Sequence, residues 1–182
     1  MTEALNISIQ TATADTVRPF GTFLGNPFGG SASNAYGSPG SDFWSEHIFT
    51  PGADGKTEIL WVAYRNNDPT VTSLETHLLT EQAVVPLEGE IVQVMALTGP
   101  DGLPDLSTLS AFRFGPGTGV CMNPHTWHAT RSASATCLML TRQSTTLDLV
   151  QHLVRGGKPV ESAIQNISPI RLMPDRPGDK PL

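Results

Sequence analysis

Residues 71–97 read Val71-Thr72-Ser73-Leu74-Glu75-Thr76-His77-Leu78-Leu79, Thr80-Glu81-Gln82, Ala83-Val84-Val85-Pro86-Leu87, Glu88-Gly89-Glu90 and Ile91-Val92-Gln93-Val94-Met95-Ala96-Leu97. Three apolar and Thr-rich runs follow one another with short polar breaks and no room for a helix between them, which is the pattern of consecutive short strands. In the first run the two-residue period of a strand puts Glu75, His77 and Leu79 on one face. Upstream, Thr57 to Tyr64 is a further strand, bounded by the turn clusters Pro51-Gly52-Ala53-Asp54-Gly55 and Asn66-Asn67-Asp68-Pro69. Downstream, Ala135 to Thr141 is another, while Ile7 to Thr11 alternates more weakly, as an edge strand does. Leu106 to Phe112 predicts a short helix turning into a strand. Helical spacing is clear over Thr146 to Arg155, where Leu147, Val150, Leu153 and Val154 share a face and Gly156-Gly157 stops the helix.

Composition agrees with a turn-rich all-β chain. The 182 residues include 17 glycines and 15 prolines, well above their usual joint share of about 12%. Short strands between Gly and Pro turns point to an antiparallel sandwich, jelly roll or barrel in a single domain over 1–182. Two stretches stand apart. Gly25 to Ser41 is a Gly/Ser/Pro-rich loop that cannot sustain a helix or a central strand, and 171–182 reads as a loose tail.

Eleven Lys and Arg against 17 Asp and Glu give a net charge of -6, so no sequence-wide positive field draws nucleic acid or anionic lipid. No apolar run is long enough to span a bilayer, and the opening Met1-Thr2-Glu3-Ala4-Leu5-Asn6 lacks the basic and apolar regions of a secretory signal. The expectation is a cytoplasmic protein with no membrane and no nucleic-acid partner. Cys121 and Cys137 have no Cys-x-x-Cys spacing and read as buried thiols.

Two clusters carry candidate chemistry. Glu75 and His77 project from one strand face, with Gln82 re-entering after a turn; Trp127-His128 follows a Gly-rich turn and a Pro. A carboxylate and two imidazoles on neighbouring strands can supply N and O ligands to a divalent ion with open positions for substrate. The same groups can run general acid–base chemistry without a metal. Arg65 is a candidate fork for a substrate carboxylate. Trp127 either wedges the core or contacts substrate, and Glu81 is either a solvated turn residue or a further base.

His77, four residues, Gln82, six residues and Gly89 look like the first metal-binding motif of the cupins, with Glu75 in place of its first His and Gln82 in place of its Glu. The longer order is Thr80-Glu81-Gln82 through Glu90, Pro104-Asp105-Leu106 through Phe112, then Gly119-Val120 and Trp127-His128. With Pro19-Phe20-Gly21 and Arg65 as early landmarks, it resembles the ureidoglycolate lyase family, small cupin-like proteins of purine and allantoin breakdown. The resemblance covers most of 17–142. It departs from the family's usual pattern where this chain has Thr76 and Leu78 around His77, Glu81 beside Gln82, Cys121-Met122, and Ala129 after His128.

The resemblance implies a cupin-like double-stranded β-helix, a jelly-roll barrel with a short C-terminal helix, forming a homodimer. It implies a carbon–nitrogen lyase that cleaves ureidoglycolate, a carboxylate-bearing carbinol-urea, to glyoxylate and urea. His77, His128, Gln82 and Glu81 are then the candidate catalytic groups, Arg65 and Trp127 the substrate contacts, and Glu75, His77, Gln82 and His128 the ligands of a divalent metal, with no nucleotide cofactor. Other cupin chemistry on a small organic acid (lyase, isomerase or dioxygenase) and non-catalytic binding of a small molecule are the rival readings.

Overall fold

The computed structural model describes residues 5–29 and 33–174. The sequence readings for 1–4, 30–32 and 175–182 lie outside the described residues. The chain is mainly β. Six strands close into a barrel in the order β1 (Leu5–Thr11), β13 (Ser162–Met173), β6 (Thr70–His77), β11 (Trp127–Arg131), β8 (Ile91–Thr98) and β9 (Pro104–Phe114). A second, five-stranded sheet runs β2 (Gly21–Leu24), β10 (Gly119–Met122), β7 (Gln82–Gly89), β12 (Ala135–Arg142) and β5 (Thr57–Tyr64). A two-stranded ribbon of β3 (Ser33–Gly37) and β4 (Asp42–Ser45) stands beside them, with a one-turn α1 (Ala14–Val17) and the longer α2 (Gln143–Arg155).

The strand patterns explain why two layers form. On β8, Val92, Val94 and Ala96 join Ile9, Leu109, Ala111, Trp127, Ile170 and Leu172 in a core drawn from the barrel strands. Its alternate residues Ile91 and Met95 instead pack with Phe112, Phe114, Val84, Val120, Met122, Cys137 and Met139, between the barrel wall and the second sheet. A strand covered on both faces is buried on both, and β8 is buried from Ile91 to Ala96, apolar but for Gln93, whose amide bonds to Thr130 and Met122. In β12 and β5 burial alternates residue by residue, so Leu60, Val62 and Tyr64 turn inward while Ile59 and Trp61 are 66% and 70% exposed at the sheet's edge.

Three expectations are corrected. Leu106 to Phe112 is strand throughout, because each of its faces meets a core and no helical turn can serve both. The loop from Gly25 to Ser41 contains β3, which finds its hydrogen bonds in the β4 ribbon and not in a central sheet. Residues 171–173, read as tail, end the long β13, where Leu172 and Ile170 are buried against β1. Helix α2 forms where its periodicity places it and ends at Gly156, with φ 75°. Its apolar face stays open, with Leu147, Leu153 and Val154 all more than half exposed. Among the described residues no helix is long and apolar enough to cross a membrane.

Candidate active site

Glu75 and His128 are direct cross-strand partners on β6 and β11, and His128 is opposite Met95 on β8. Cross-strand partners share a face, and Met95 faces the second sheet, so both groups point into the space between the two layers. His77, two residues beyond Glu75, joins them: its ring centroid is 5.2 Å from that of His128. The strand period that pairs Glu75 with His77 holds. Leu79, expected on the same face, has left the strand and is 45% exposed.

The local fold sets both rings. Asn123-Pro124-His125-Thr126 forms a tight turn, closed by Thr126 N–H donating to Asn123 O and tied to β6 by His125 N–H donating to His77 O at 2.8 Å. Thr126 anchors in turn on Phe20 O. Its carbonyl oxygen accepts from His128 Nδ1 at 3.0 Å. A carbonyl oxygen only accepts, so Nδ1 carries the proton and Nε2 of the neutral ring carries the lone pair. That buried Nε2 makes no hydrogen bond and is aimed at Glu75 Oε1, 3.5 Å away. Two lone pairs facing each other ask for a positive charge between them, whether a proton or a cation.

Gln82 does re-enter from the second sheet, opening β7. Its Nε2 donates to His77 Nε2 at 2.8 Å, and His77 Nδ1 donates to the buried Ser162 Oγ at 3.1 Å. With its amide nitrogen toward the ring, Gln82 orients His77. Burial and the neighbouring His128 push the His77 pKa down to about 4, against the pull of Glu75. The ring is therefore neutral near pH 7. Burial works to raise the Glu75 pKa, but the nearness of His128 and His77 outweighs it and holds the carboxyl below its usual range.

The donor set fits a divalent ion. One ligand atom from each of Glu75, His77 and His128 lies within 4.8 Å of the other two, the unpartnered Nε2 of His128 supplies the orphaned buried atom that a metal would satisfy, and His77 would bring its Nε2 lone pair once the Gln82 amide that donates to it moves aside. Ser162 and the Thr126 carbonyl already hold the far side of each ring, as metal-bound imidazoles require.

Beside Glu75 and His128 lies a cavity of about 310 Å³ whose walls include Tyr64, Ser73, Thr130 and Arg131. Burial pushes the Tyr64 phenol up to about 12, against the lowering effect of its hydrogen bond with Thr130, so it remains a donor at neutral pH. Arg131 is the cation on this wall, its guanidinium anchored to the carbonyl oxygens of Asp68, Thr70 and Thr130.

Other expected residues fall elsewhere. Arg65 is exposed beyond the end of β5 and does not line the cavity. Trp127 is 2% exposed and packs in the barrel core, on the face opposite His128. Glu81 points away from the cluster and pairs with His47 at 2.9 Å. Tyr64, Arg131 and Ser162 were missed. The inward alternation of β5 carries a signal for Tyr64, whereas Ser162 comes from a strand 85 residues away in sequence and gives no local sign.

The model of the ureidoglycolate lyase family matches residues 5–155. The chain belongs to the ureidoglycolate lyase family. Curated ureidoglycolate lyases of Escherichia coli O1:K1 / APEC and Shigella boydii serotype 18 are each 42% identical to it over 59 residues, 32% of this chain. These matches span 36% of the relatives' own length. Among solved structures, the sugar 3,4-ketoisomerase QdtA of Thermoanaerobacterium thermosaccharolyticum is similar at 13% identity over 65% of this chain and 77% of that one, with a TM-score of 0.38. The dTDP-4-dehydrorhamnose 3,5-epimerase of Elizabethkingia anophelis NUHP1 is similar at 9% identity over 82% and 79%, with a TM-score of 0.40.

Proposed function

We propose that this member of the ureidoglycolate lyase family cleaves the C–N bond of ureidoglycolate, or of a closely related carboxylate-bearing carbinol-urea, between Glu75, His77 and His128. The observation that carries the reading is the unpartnered Nε2 of His128, fixed as the lone-pair nitrogen by the Thr126 carbonyl and facing an ionised carboxylate.

The reaction moves one proton and takes up or releases none overall. The carbinol O–H proton passes to His128 Nε2 as C=O forms. The C–N electron pair leaves with the ureido nitrogen, and the imidazolium, steadied by Glu75 at 3.5 Å, returns the proton to that nitrogen. Glyoxylate and urea result. One oriented base therefore serves both half-steps. Neutral His77, its lone pair taken by Gln82 and its N–H by Ser162, does not compete for the proton and adds no positive charge to oppose the imidazolium. Arg131 and the Tyr64 hydroxyl line the cavity where the substrate's carboxylate would lie. A divalent ion held by Glu75, His77 and His128 would lower the hydroxyl pKa and bind the carboxylate, taking over the base's work.

A homodimer belongs to this proposal, supported by the apolar side chains left open on α2 and on the edge strand β5, where Leu153 is 78% and Trp61 70% exposed. The test is incubation of the protein with racemic ureidoglycolate, with and without added divalent ions, following urea and glyoxylate. Equal amounts of both products from one enantiomer, lost in His128→Ala, are expected. Binding without turnover, or turnover indifferent to His128, would overturn the reading.

A further inference from the structure

The second sheet carries another cluster on its opposite face. Val120 and Met122 of β10 enter the core between the layers, so Cys121, between them, points outward. The segment after β4 is strapped across it. Glu46 accepts from the N–H groups of Gly25 and Asn26 at 2.8 and 2.6 Å, Thr50 N–H donates to Glu81 Oε2 at 2.7 Å, and Glu81 N–H donates to Thr50 O at 3.2 Å. These bonds bring His47 Nε2 to 2.9 Å from Glu81 Oε2, while the Cys121 sulfur lies 3.8 Å from the same oxygen. Thr22, the β2 partner of Cys121, places its hydroxyl 3.4 Å from His47 Nδ1 and so faces the far side of that ring.

We infer that His47, Glu81 and Cys121 form a second metal site, distinct from the Glu75–His77–His128 cluster, that takes a borderline-soft divalent cation such as Zn²⁺. One ligand atom from each of the three residues lies within 4.8 Å of the others, the spacing of donors around one ion at about 2.0–2.3 Å from each. A thiolate, an imidazole and a carboxylate are the N, S and O donors zinc accepts, and a thiolate selects against Mg²⁺ and Ca²⁺. The sulfur is buried while the His47 side chain is 25% exposed, so the ion enters from the His47 side and keeps its fourth position toward solvent.

The geometry disfavours a nucleophilic cysteine. The sulfur meets the carboxylate rather than the imidazole, and burial together with Glu81 pushes the thiol up to about 12. A cation reverses that balance: the Cys121 proton is released on binding, and thiolate and carboxylate then share a positive centre. The ion would tie the 46–50 strap to β10 and to the start of β7.

The test is Co²⁺ titration of the chelator-stripped full chain, read by absorbance. A sulfur-to-cobalt charge-transfer band in the near ultraviolet is expected in wild type, in His77→Ala and in His128→Ala, and absent in Cys121→Ser. Zinc analysis after dialysis should find one equivalent fewer in Cys121→Ser than in wild type. His47 lies on the surface strap, so His47→Ala keeps the fold testable should the buried substitution disturb it; it should weaken Co²⁺ binding on the order of tenfold or more. Absence of the band in folded wild type, or a band and stoichiometry unchanged in Cys121→Ser, would overturn the site. Because neither histidine of the other cluster is involved, failure here leaves the lyase reading standing, and the converse also holds.

Discussion

Acidifying the metal-free protein should expose the burial of His77 directly. In the unfolded chain this imidazole takes a proton near pH 6.5, whereas in the fold it does so only at about 4. Between those values the unfolded state binds more protons, so stability falls as pH falls; above 6.5 the contribution is present in full. The gap of about 2.5 pH units corresponds to roughly 3 kcal/mol, a sizeable part of the roughly 5–15 kcal/mol that holds an ordinary domain folded. Urea unfolding of chelator-treated wild type and His77→Gln at pH 7.5, 6.5, 5.5 and 4.5 isolates it. Glutamine retains a polar group for Ser162 and Gln82 but cannot titrate. The wild type should lose between about 2 and 3 kcal/mol more than the variant from pH 7.5 to 4.5, with a slope near 1.4 kcal/mol per pH unit between pH 6 and 4.5. Parallel curves, or an NMR titration placing the His77 proton near pH 6.5, would refute the reasoning.

Other consequences are read more simply. His128→Ala should lower kcat on the order of 10²–10⁴-fold with little change in unfolding midpoint, measured by coupled urea and glyoxylate assays. Arg131→Gln should reduce kcat/KM for a carboxylate substrate by about tenfold or more, whereas Arg65→Gln, exposed and off the cavity wall, should leave it unchanged. Gly89→Ala sets a Cβ 2.1 Å from the Ser134 carbonyl oxygen at φ +73°. Since backbone blocks it, urea titration should show a loss of roughly 2 kcal/mol or more.

The fold was legible where one residue pattern answers to one environment. β5 and β12 alternate because each has one face in a core, and β8 is apolar from Ile91 to Leu97 but for Gln93 because both of its faces are covered. Leu106 to Phe112 misled for a related reason: the chain there feeds Leu109 and Ala111 to one core and Phe112 and Phe114 to the other, and dense apolar content at mixed spacing imitates a helix. Glu75, His77, Gln82 and His128 were legible because strand period and motif spacing are local properties. Arg131 displacing Arg65 on the cavity wall was not, since it depends on how β11 lies against β6, where a single residue pair sets the register. Nor was the role of Glu81. One step along the chain from Gln82, it falls on the other side of the sheet and meets His47, 34 residues away.

A proton and a divalent ion compete for the same place between Glu75 and His128. The Thr126 carbonyl fixes the ring so that Nε2 alone faces the carboxylate, and a lone pair that holds a proton cannot hold a metal. Metal affinity at this cluster should therefore fall as pH is lowered. The outer cluster would bind the ion as well, so calorimetric binding belongs in a Cys121→Ser background, where His128→Asn should weaken uptake and flatten its dependence on pH. Affinity and pH dependence unchanged by His128→Asn in that background would leave His128 Nε2 outside the donor set and remove the argument that it is the reacting atom. A loss of both would make the same nitrogen base and ligand by turns, so that the pH dependence of turnover with and without added metal distinguishes the two modes.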